Sequence, residues 1–569
     1  MKVILVCVAI PVVVACSRSE PTSEPTTVSA IPPAWSAAHP AVVATGDSAM
    51  VVTASPLATR VGVDVLRSGG NAIDAAVAVA FALEVVYPTA GNIGGGGFIV
   101  ARMGQQAAAL DFREVAPSGS TKNMYLDAAG NATDKSLTGA LAAGVPGSVA
   151  GLWEAHSKFG SKPWGELVQP AIDLAEKGFA ADSAFIEGLE YDKPRLQKFP
   201  ASAALFLPSG VPIALGAAWR NPNLAATLRR IAEHGRDGFY AGPTADLIVK
   251  EMKRSGGIIS SADLKNYKPE WRAPVEFTYR GHHVISMPPA SSGGLTLALI
   301  ANILGGVDLH AMGFHSAGAI HTIAAAERVA FLRRNTLLGD PKFVTINSDA
   351  FLSPDTAAAL RAAIVHSSGD ERHTTHFSVV DAHGNAVSMT TTLNNGYGSA
   401  VTVTGAGFLL NDEMDDFTVK AGALNAMGLR QGDINAIQPG KRMLSSMTPT
   451  IVLDSAGAPL LITGGSGGAR IITGVAQVIF NVIDFGLDLG AAEVAPRFHA
   501  QDFPDSLLIE QGGYSDALVR ALGARGDKPK INVSQWHSDD FAFVQSILRV
   551  NGRWQGAREP RGFGLALGY

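Results

Sequence analysis

The sequence predicts an α+β protein in which helices and strands pack around one core. Segments with apolar residues at helical spacing alternate with short β-branched runs along most of the chain. One stretch, 374–394, has the alternation and the central turn of a β-hairpin. The 569 residues are 47% hydrophobic and 17% charged, which is ample for a large buried core.

The first residues are predicted to be a targeting signal rather than part of the fold. Lys2 is followed by an apolar run, 3–14, that is too short to span a bilayer. The run ends at a Val-Val-Ala-Cys sequence that resembles a bacterial lipobox and includes Cys16. Residues 1–16 would then be a lipoprotein signal peptide with Cys16 as the acylated residue. An ordinary secretory signal cleaved nearby is the alternative.

The segment after the signal has the composition of a tether. Residues 17–33 are rich in Ser, Thr, Pro and Glu, and we expect a disordered tether over 17–40. Ser17, rather than Asp, follows Cys16, which in Gram-negative lipoproteins points to the outer membrane. The expected location is therefore the periplasmic side of the outer membrane, held there only by a lipid anchor, or else the periplasm or the medium.

Composition excludes several functional classes. The formal net charge of -5 gives no reason to expect a nucleic-acid partner. Cys7 leaves with the signal, so the mature chain keeps at most one cysteine and no internal disulfide. No metal-binding spacing of His and Glu occurs, and no Gly-Lys-Ser or Gly-Lys-Thr follows the glycine run 94–97. We expect no metal and no cofactor.

The helices are predicted from apolar periodicity and from residues that start or stop a helix. Asn71 is a typical N-cap for the apolar segment that follows it, and Pro88 ends that segment. The predicted helices cover 58–70, 72–86, 149–159, 165–177, 224–233, 244–253, 294–304, 317–333 and 469–483. The clearest strands outside the hairpin are 98–100, 450–453 and 459–463.

The hairpin brings two threonines together. If His383 lies at the centre of the turn, Thr374 and Thr392 are equally far from it and face each other across the two strands. Their Cβ atoms would then be about 5 Å apart. Two hydroxyl groups at the open end of a hairpin could be packing alone, or they could be a nucleophile and its helper.

A second segment competes for the role of nucleophile. Residues 464–468 fit the Gly-x-Ser-x-Gly elbow around Ser466, and Asp484 or Asp488 and then His499 follow in the order of a hydrolase triad. The glycines also precede a predicted helix, whose free N–H groups could instead hold an oxyanion or a carboxylate.

Two charged features have a structural and a functional interpretation each. Arg113 could form an internal salt bridge with Asp111 or Glu114, or it could clamp a substrate carboxylate. The three acids within 413–416 could form a solvated turn, or, if they are buried, they could bind a substrate ammonium group.

Taken together, these segments resemble the γ-glutamyltransferase (γ-glutamyltranspeptidase) family of N-terminal-nucleophile enzymes. The resemblance runs from about residue 54 to residue 569, and its motifs occur in the family's order. The matching segments are GGNAIDAAVAVAFALEVVYPTAGNIGGGGF at 69–98, DFREVAP at 111–117, GVPGSVAG at 144–151, the threonine motif at 374–398, NDEMDDF at 411–417, LSSMTPT at 444–450, the glycine loop at 464–470 and GAREPRGFGLALG at 556–568.

The resemblance implies a four-layer αββα sandwich and a precursor that cuts itself. The cut would fall between His373 and Thr374, leaving a large subunit, 41–373, and a small subunit, 374–569, that form the sandwich jointly. A threonine hydroxyl has no built-in base, whereas a freed α-amine with a pKa of about 8 can serve as one. Thr375 is the alternative position for the cut, and the family motif favours Thr374.

The resemblance also implies a role for each matching residue. The residues implied in catalysis are Thr374 as nucleophile and, through its amine, general base, Thr392 as its orienting partner, and the N–H groups of Gly467 and Gly468 as the oxyanion hole. The residues implied in donor binding are Arg113, Ser445 and Ser446 for the α-carboxylate and Asn394, Glu413 and Asp416 for the α-ammonium. The γ-glutamyl group of glutathione or a related donor would pass through a threonyl ester to an amino acid, a peptide or water.

Three other functions remain possible from the sequence. The first is a cephalosporin or glutaryl acylase on the same scaffold, which the full set of α-amino and α-carboxylate ligands disfavours. The second is a hydrolase that uses Ser466, and the third is an unprocessed periplasmic binding protein. The family's lid loop corresponds to 421–429, where Met427 stands at a position that is often aromatic.

Overall fold

Two seven-stranded antiparallel sheets lie face to face at the centre of the molecule. The computed structural model describes residues 31–362, 374–425, 428–532 and 541–569. The first sheet, which we call the hairpin sheet, has the order Leu565–Gly568, Met50–Thr53, Thr375–Val380, Ala386–Thr392, Gly96–Met103, Gln106–Asp111 and Glu270–Arg272. The second sheet has the order Val43–Gly46, Arg553–Ala557, Ser546–Val550, Pro459–Thr463, Thr450–Leu453, His282–Ser286 and Val275–Tyr279.

Short strands and helices complete the secondary structure. The short strands are Phe179–Ala180 with Ala218–Trp219, Gly465–Ser466 with Phe543–Val544, and the set Phe498–His499, Leu507–Glu510 and Pro529–Asn532. The α-helices are Pro33–Ala38, Pro56–Arg67, Ala72–Val86, Ser148–Phe159, Trp164–Lys177, Ser183–Leu196, Pro200–Phe206, Pro222–His234, Asp237–Tyr240, Gly242–Ser255, Ser261–Asn266, Gly293–Leu304, Leu309–Met312, Ala317–Leu337, Ser348–Leu352, Pro354–Ala362, Arg470–Ile483, Leu489–Val494 and Asp516–Ala524.

Helices cover the outer faces of both sheets, so the architecture is a four-layer αββα sandwich. Side chains of the hairpin sheet alternate between two cores, as a strand requires. Phe377 and Val379 pack in the core shared with Ala72–Val86, whereas Val380 packs in the core between the sheets. That second core continues to Gly293–Leu304 and Arg470–Ile483, and the predicted α+β class is confirmed.

The buried helix Ala72–Val86 shows why the local sequence patterns predict the helices well. Asn71 Oδ1 accepts hydrogen bonds from the N–H groups of Ile73 and Asp74, and the Asp74 carboxylate accepts one from Asn71 N, which completes a capping box. The other predicted helices are also present, with ends that differ by a few residues. The helix Pro354–Ala362 is the last described element before Thr374, and 363–373 lie outside the described residues.

The N-terminal expectations are met only in part. The signal with Cys16 and residues 17–30 of the expected tether lie outside the described residues. The expectation of disorder up to residue 40 is wrong for Pro33–Ala38, which forms a short helix. The reason is Trp35, whose side chain is buried and whose indole N–H donates to Val494 O at 2.8 Å. Among the described helices, none is both long and apolar enough to cross a membrane.

Candidate active site

The hairpin has the predicted register. Thr375 pairs with Thr391 and Val380 pairs with Ala386, so the turn is centred on His383. One residue beyond the last pair, Thr374 Oγ1 donates a hydrogen bond to Thr392 Oγ1 at 3.3 Å. The predicted juxtaposition of the two threonines at the open end of the hairpin is therefore confirmed.

Thr374 and Thr375 lie on different sides of the strand. Thr374 lines a narrow cleft together with Thr392. Thr375 lines a separate cavity with His376 and Ser466, and its buried hydroxyl has no hydrogen-bond partner within the described residues. Of these two threonines, Thr374 is therefore the one that lines the first cleft.

This cleft collects nearly all the residues that were predicted for the site. Nine of the ten catalytic and donor-binding candidates line it, and they are Arg113, Thr374, Thr392, Asn394, Glu413, Asp416, Ser445, Ser446 and Gly468. Four apolar lining residues were not predicted, and they are Leu429, Leu444, Met447 and Ile471. Leu444 and Met447 flank the two serines in the sequence, so their position beside that motif could have identified them as cleft residues.

Arg113 and two of the acids form a buried ion-pair cluster in the cleft. The Arg113 guanidinium donates through Nη1 to Glu413 and through Nη2 to Asp416. Glu114 is 3.8 Å from the same guanidinium, whereas Asp111 accepts from the Arg113 backbone N–H at 3.0 Å and from Arg272 Nε at 2.8 Å. The acidic turn is thus buried rather than solvated.

Burial governs the ionisation of this cluster. Loss of water raises the pKa of Glu413, and the positive charge of Arg113 opposes that rise. Burial alone would lower the pKa of Arg113, but attraction to Glu413 and Asp416 outweighs it and raises the pKa. The cleft therefore holds a permanent cation beside two carboxyl groups.

Thr392 and Asn394 are joined by the backbone. Asn394 N donates to Thr392 Oγ1 at 2.8 Å, so this hydroxyl accepts from both Thr374 and Asn394. Asn394 has a left-handed backbone with φ of 78°, which asparagine tolerates better than most residues. Its Nδ2 donates to Asp412 O at 3.1 Å.

The glycine loop lies at the N-terminus of the helix Arg470–Ile483. Gly468 lines the cleft, and Gly467 precedes it with a φ of 122°, a conformation that favours glycine. The carbonyls of Gly467 and Gly468 accept from Arg470 N and Ile471 N at the start of the helix. Their own N–H groups belong to a turn with a positive electrostatic potential.

The serine-elbow interpretation of the same loop is wrong because its partners are engaged elsewhere. The His499 ring is hydrogen bonded to Thr473 Oγ1 and Gln501 Oε1, and burial lowers its pKa to about 3. Among the triad's acids, Asp484 accepts from Tyr279 and Arg280, and Asp488 caps the helix Leu489–Val494. No Ser-His-Asp chain is assembled by these described residues.

Two predicted positions fall in parts of the chain outside the described residues. They are His373, before the proposed cleavage point, and Met427, in the predicted lid loop. Leu429, at the end of that loop, lines the cleft.

The αββα sandwich and a threonine at the start of a central strand together define an N-terminal-nucleophile hydrolase. The chain belongs to the γ-glutamyltranspeptidase family, whose model matches residues 58–569. A glutathione hydrolase proenzyme of Pseudomonas sp. (strain A14) is 45% identical over 92% of this chain and 94% of its own. The glutathione hydrolase proenzyme of Escherichia coli (strain K12) is 42% identical over 91% and 92%, respectively. Among solved structures, a cephalosporin acylase from Bacillus halodurans has a TM-score of 0.82 and 28% identity, covering 93% of this chain and 97% of its own.

Proposed function

We propose that this protein is a self-processing γ-glutamyl transferase and hydrolase that acts on glutathione and related γ-glutamyl donors. The observation that carries the proposal is the hydroxyl of Thr374, which is 3.3 Å from Thr392 Oγ1 in a cleft that also holds a buried cation and two acids. The relatives named as glutathione hydrolase proenzymes support both the donor and the processing.

Maturation comes first in this proposal. Thr374 Oγ1 attacks the carbonyl carbon of His373, and the peptide bond is replaced by an ester as its nitrogen takes up a proton. Water then hydrolyses the ester, which leaves a large subunit, 41–373, ending in a carboxylate and a small subunit, 374–569, with a free amine. That amine is the base that a threonine hydroxyl otherwise lacks.

Catalysis repeats the same chemistry on a donor. The Thr374 amine takes the hydroxyl proton, Oγ1 attacks the γ-carbonyl carbon, and the N–H groups of Gly467 and Gly468 stabilise the oxyanion. The amine of the leaving group takes the proton as the γ-amide bond breaks. The γ-glutamyl ester is then attacked by the amine of an amino acid or peptide, which gives transfer, or by water, which gives hydrolysis. Thr392 keeps the nucleophile oriented throughout.

The charges of the cleft match the free end of a γ-glutamyl group. Arg113, Ser445 and Ser446 would hold the α-carboxylate, and Asn394, Glu413 and Asp416 would hold the α-ammonium. Arg113 now pairs with Glu413 and Asp416, so a donor that carries both charges gives each side a new counter-ion in exchange. A donor with one charge leaves part of the cluster uncompensated in a buried site, which is costly.

A second candidate is acylase activity toward glutaryl amides, which the likeness to a cephalosporin acylase favours. A glutaryl group carries the carboxylate without the ammonium, so it would leave Glu413 and Asp416 without a new partner. Rates on γ-glutamyl-p-nitroanilide and glutaryl-p-nitroanilide distinguish the two functions. We expect the γ-glutamyl compound to have the higher kcat/KM.

We also propose that the protein acts on the periplasmic side of the outer membrane, held by a lipid on Cys16. The support is the Val-Val-Ala-Cys sequence after a short apolar run. The full-length protein should fractionate with outer membranes, and Cys16→Ala should abolish metabolic labelling with a fatty acid. Labelling that persists in the variant would contradict the lipid anchor.

The central experiment is the substitution Thr374→Ala. We expect the unaltered protein to give two bands on a denaturing gel and the variant to give one, because the variant lacks the attacking hydroxyl. Sequencing of the smaller fragment should begin at Thr374, and turnover of γ-glutamyl-p-nitroanilide should fall by at least about a thousandfold. Ser466→Ala is the matched control and should keep cleavage and turnover. Active material that proves to be one intact chain contradicts the proposal.

A further inference from the structure

A second arginine, Arg334, lies directly behind the serines of the cleft. It is near the end of the helix Ala317–Leu337, and its side chain is fully buried. It does not line the cleft, but its Nη2 donates to Ser446 Oγ at 3.0 Å, and Ser446 does line it. None of the sequence motifs includes this residue.

The partners of Arg334 are neutral. Besides Ser446, it donates through Nε to Ser292 Oγ at 2.9 Å and through Nη1 to Asn335 Oδ1 at 2.8 Å. Within the described residues no carboxylate is close enough to form a direct ion pair with it. Burial lowers the pKa of the guanidinium to about 10, opposed by the more distant charges of Asp416 and Asp502, so it stays protonated at neutral pH.

Burying a cation without a direct counter-ion costs free energy of folding, because the charge loses its hydration. The positive potential of Arg334 extends to Ser446, and Ser446 itself lines the cleft. An anion bound at Ser446 would be the nearest available counter-charge, since Asp416 is already paired with Arg113.

The hydrogen bond from Arg334 also fixes the direction of the Ser446 hydroxyl. The Ser446 oxygen accepts from Nη2, so its single proton must point to another acceptor. Ser445 is tied to the same network, because Ser292 Oγ accepts from Arg334 and donates to Ser445 O at 2.6 Å. Ser292 N donates to the same carbonyl at 2.8 Å. One guanidinium thus orients the Ser446 hydroxyl and, through Ser292, helps to hold the backbone carbonyl of Ser445.

We propose that Arg334 is a positioning residue that makes Ser445 and Ser446 a binding site for the donor's α-carboxylate and supplies part of its positive charge. This inference rests on the proposed function, because it concerns the donor of that reaction. Arg334 thereby makes the site selective for donors with a carboxylate at the α-carbon over donors without one.

The test compares Arg334→Met with the unaltered enzyme on two donors. γ-Glutamyl-p-nitroanilide carries the α-carboxylate, and 4-aminobutyryl-p-nitroanilide lacks it. For the first donor we expect KM to rise about 10- to 100-fold, as for the loss of a charge-assisted hydrogen bond, with kcat changed less than about threefold. For the second donor we expect KM, or its inhibition constant where turnover is slow, to change less than about threefold.

Two further variants separate positioning from general damage. Arg334→Lys keeps the charge without the fork of donors and should recover part of the lost affinity. Arg230→Met is the matched control, because Arg230 also donates to two hydroxyls, of Thr244 and Thr227, far from the cleft. It should leave both KM values unchanged. If Arg334→Met does not fold, Ser292→Ala removes the hydroxyl that joins Arg334 Nε to the Ser445 carbonyl, leaves the backbone bond from Ser292 N in place, and should raise KM for the γ-glutamyl donor alone.

The outcomes are distinct. Equal losses on both donors, or an unchanged KM in a folded, cleaved Arg334→Met variant, overturn the role of Arg334. Unaltered enzyme that turns over glutaryl but not γ-glutamyl anilide overturns the proposed function instead. In that case the Arg334 variant can still be tested, because the glutaryl group carries a carboxylate at the corresponding position.

Discussion

At the scale of single residues, the cleft is defined by charges that are buried together. Arg113 is in contact with Glu413 and Asp416 and is within 3.8 Å of Glu114, so three carboxyl groups surround one guanidinium. Each of these groups would be unfavourable alone in a buried site. A charged donor would therefore bind by replacing the ion pairs among these side chains, rather than by filling an empty site.

Glu413→Gln tests the exchange. The amide keeps the size of the side chain and removes the charge that would meet the donor's ammonium, so kcat/KM for γ-glutamyl-p-nitroanilide should fall about 10- to 100-fold. Glutaryl-p-nitroanilide has no ammonium, and its kcat/KM should change less than about threefold. The comparison is made by steady-state kinetics on the cleaved enzyme.

The control for this prediction lies in the same turn. Asp415 accepts a hydrogen bond from Ser136 at 2.7 Å and does not line the cleft, so Asp415→Asn should lower both rates equally or not at all. A parallel fall on both donors in Glu413→Gln would contradict the assignment of Glu413 to the ammonium.

At the scale of elements, the glycine loop is positioned by the hairpin that carries Thr374. The His376 ring is fixed between Thr390 Oγ1 at 2.9 Å and Ser378 Oγ at 3.1 Å, and burial lowers its pKa to about 3. A neutral, anchored ring therefore lies directly against Gly464, the first residue of the loop.

Gly464→Ala should disturb this contact. An added Cβ would lie 2.3–2.8 Å from three atoms of the His376 ring, and the ring has two hydrogen bonds to lose if it moves. We expect a loss of about 1–3 kcal/mol in stability and slower self-cleavage, because Gly467 and Gly468 move with the loop. Thermal unfolding and the cleaved fraction on a denaturing gel measure the two effects.

Gly523→Ala is the matched control for the glycine substitution. A Cβ there meets nothing within 4 Å, and the position is near the end of the helix Asp516–Ala524. Alanine should be neutral or slightly stabilising at this position. If Gly464→Ala and Gly523→Ala have the same effect, the contact with His376 is not the reason why position 464 requires glycine.

The elements that could be predicted from sequence are those whose signals are local. The capping box at Asn71 and the register of the hairpin each depend on residues within one short segment. The order of the strands in the two sheets could not be predicted, because Thr375–Val380 pairs with Met50–Thr53, more than 300 positions earlier. The helix around Trp35 was missed because the polar composition of its surroundings hides one aromatic anchor.

The same limit applies to the site. Arg113, Glu413 and Ser446 stand in motifs that the family resemblance identifies, so their meeting was expected. Arg334 stands in an Ala-rich helix, and its significance depends on Ser446, which is 112 positions away along the chain. Only the packing of the helix Ala317–Leu337 against that segment makes the residue meaningful.

At the scale of the whole molecule, the two proposed subunits are interleaved. In the hairpin sheet, strands from before Thr374 flank the hairpin on both sides, with Thr375–Val380 paired to Met50–Thr53 and Ala386–Thr392 paired to Gly96–Met103. The second sheet likewise joins Val43–Gly46 to Arg553–Ala557. Cleavage before Thr374 would therefore leave a complex that is held by shared sheets and shared cores, and buried polar links between the subunits become part of its stability.

Glu327 is one such link, and it predicts how the stability of the whole complex depends on pH. Its carboxyl oxygens accept from Ala500 N at 3.0 Å and Gln477 Nε2 at 3.2 Å, which would join the proposed large subunit to the proposed small one. Burial raises its pKa from 4.5 to about 8, opposed by these hydrogen bonds and by Arg328. Between these two values the unfolded chain loses the proton while the folded chain keeps it, so this group's contribution to the free energy of unfolding falls as pH rises.

Glu327→Gln removes that titration. The amide loses one acceptor, which changes the free energy of unfolding by the same amount at every pH. From pH 5 to pH 8, however, the free energy of unfolding of the variant should rise relative to that of the unaltered enzyme. We expect a shift of at least about 2 kcal/mol, or about 2 °C in Tm for a chain of this length. Thermal unfolding at one protein concentration and four pH values measures it, and the same change at the exposed Glu190 should show no pH-dependent difference. A difference that stays constant across this range would mean that Glu327 already carries its charge in the folded complex, and that the link between the subunits is an ionised one.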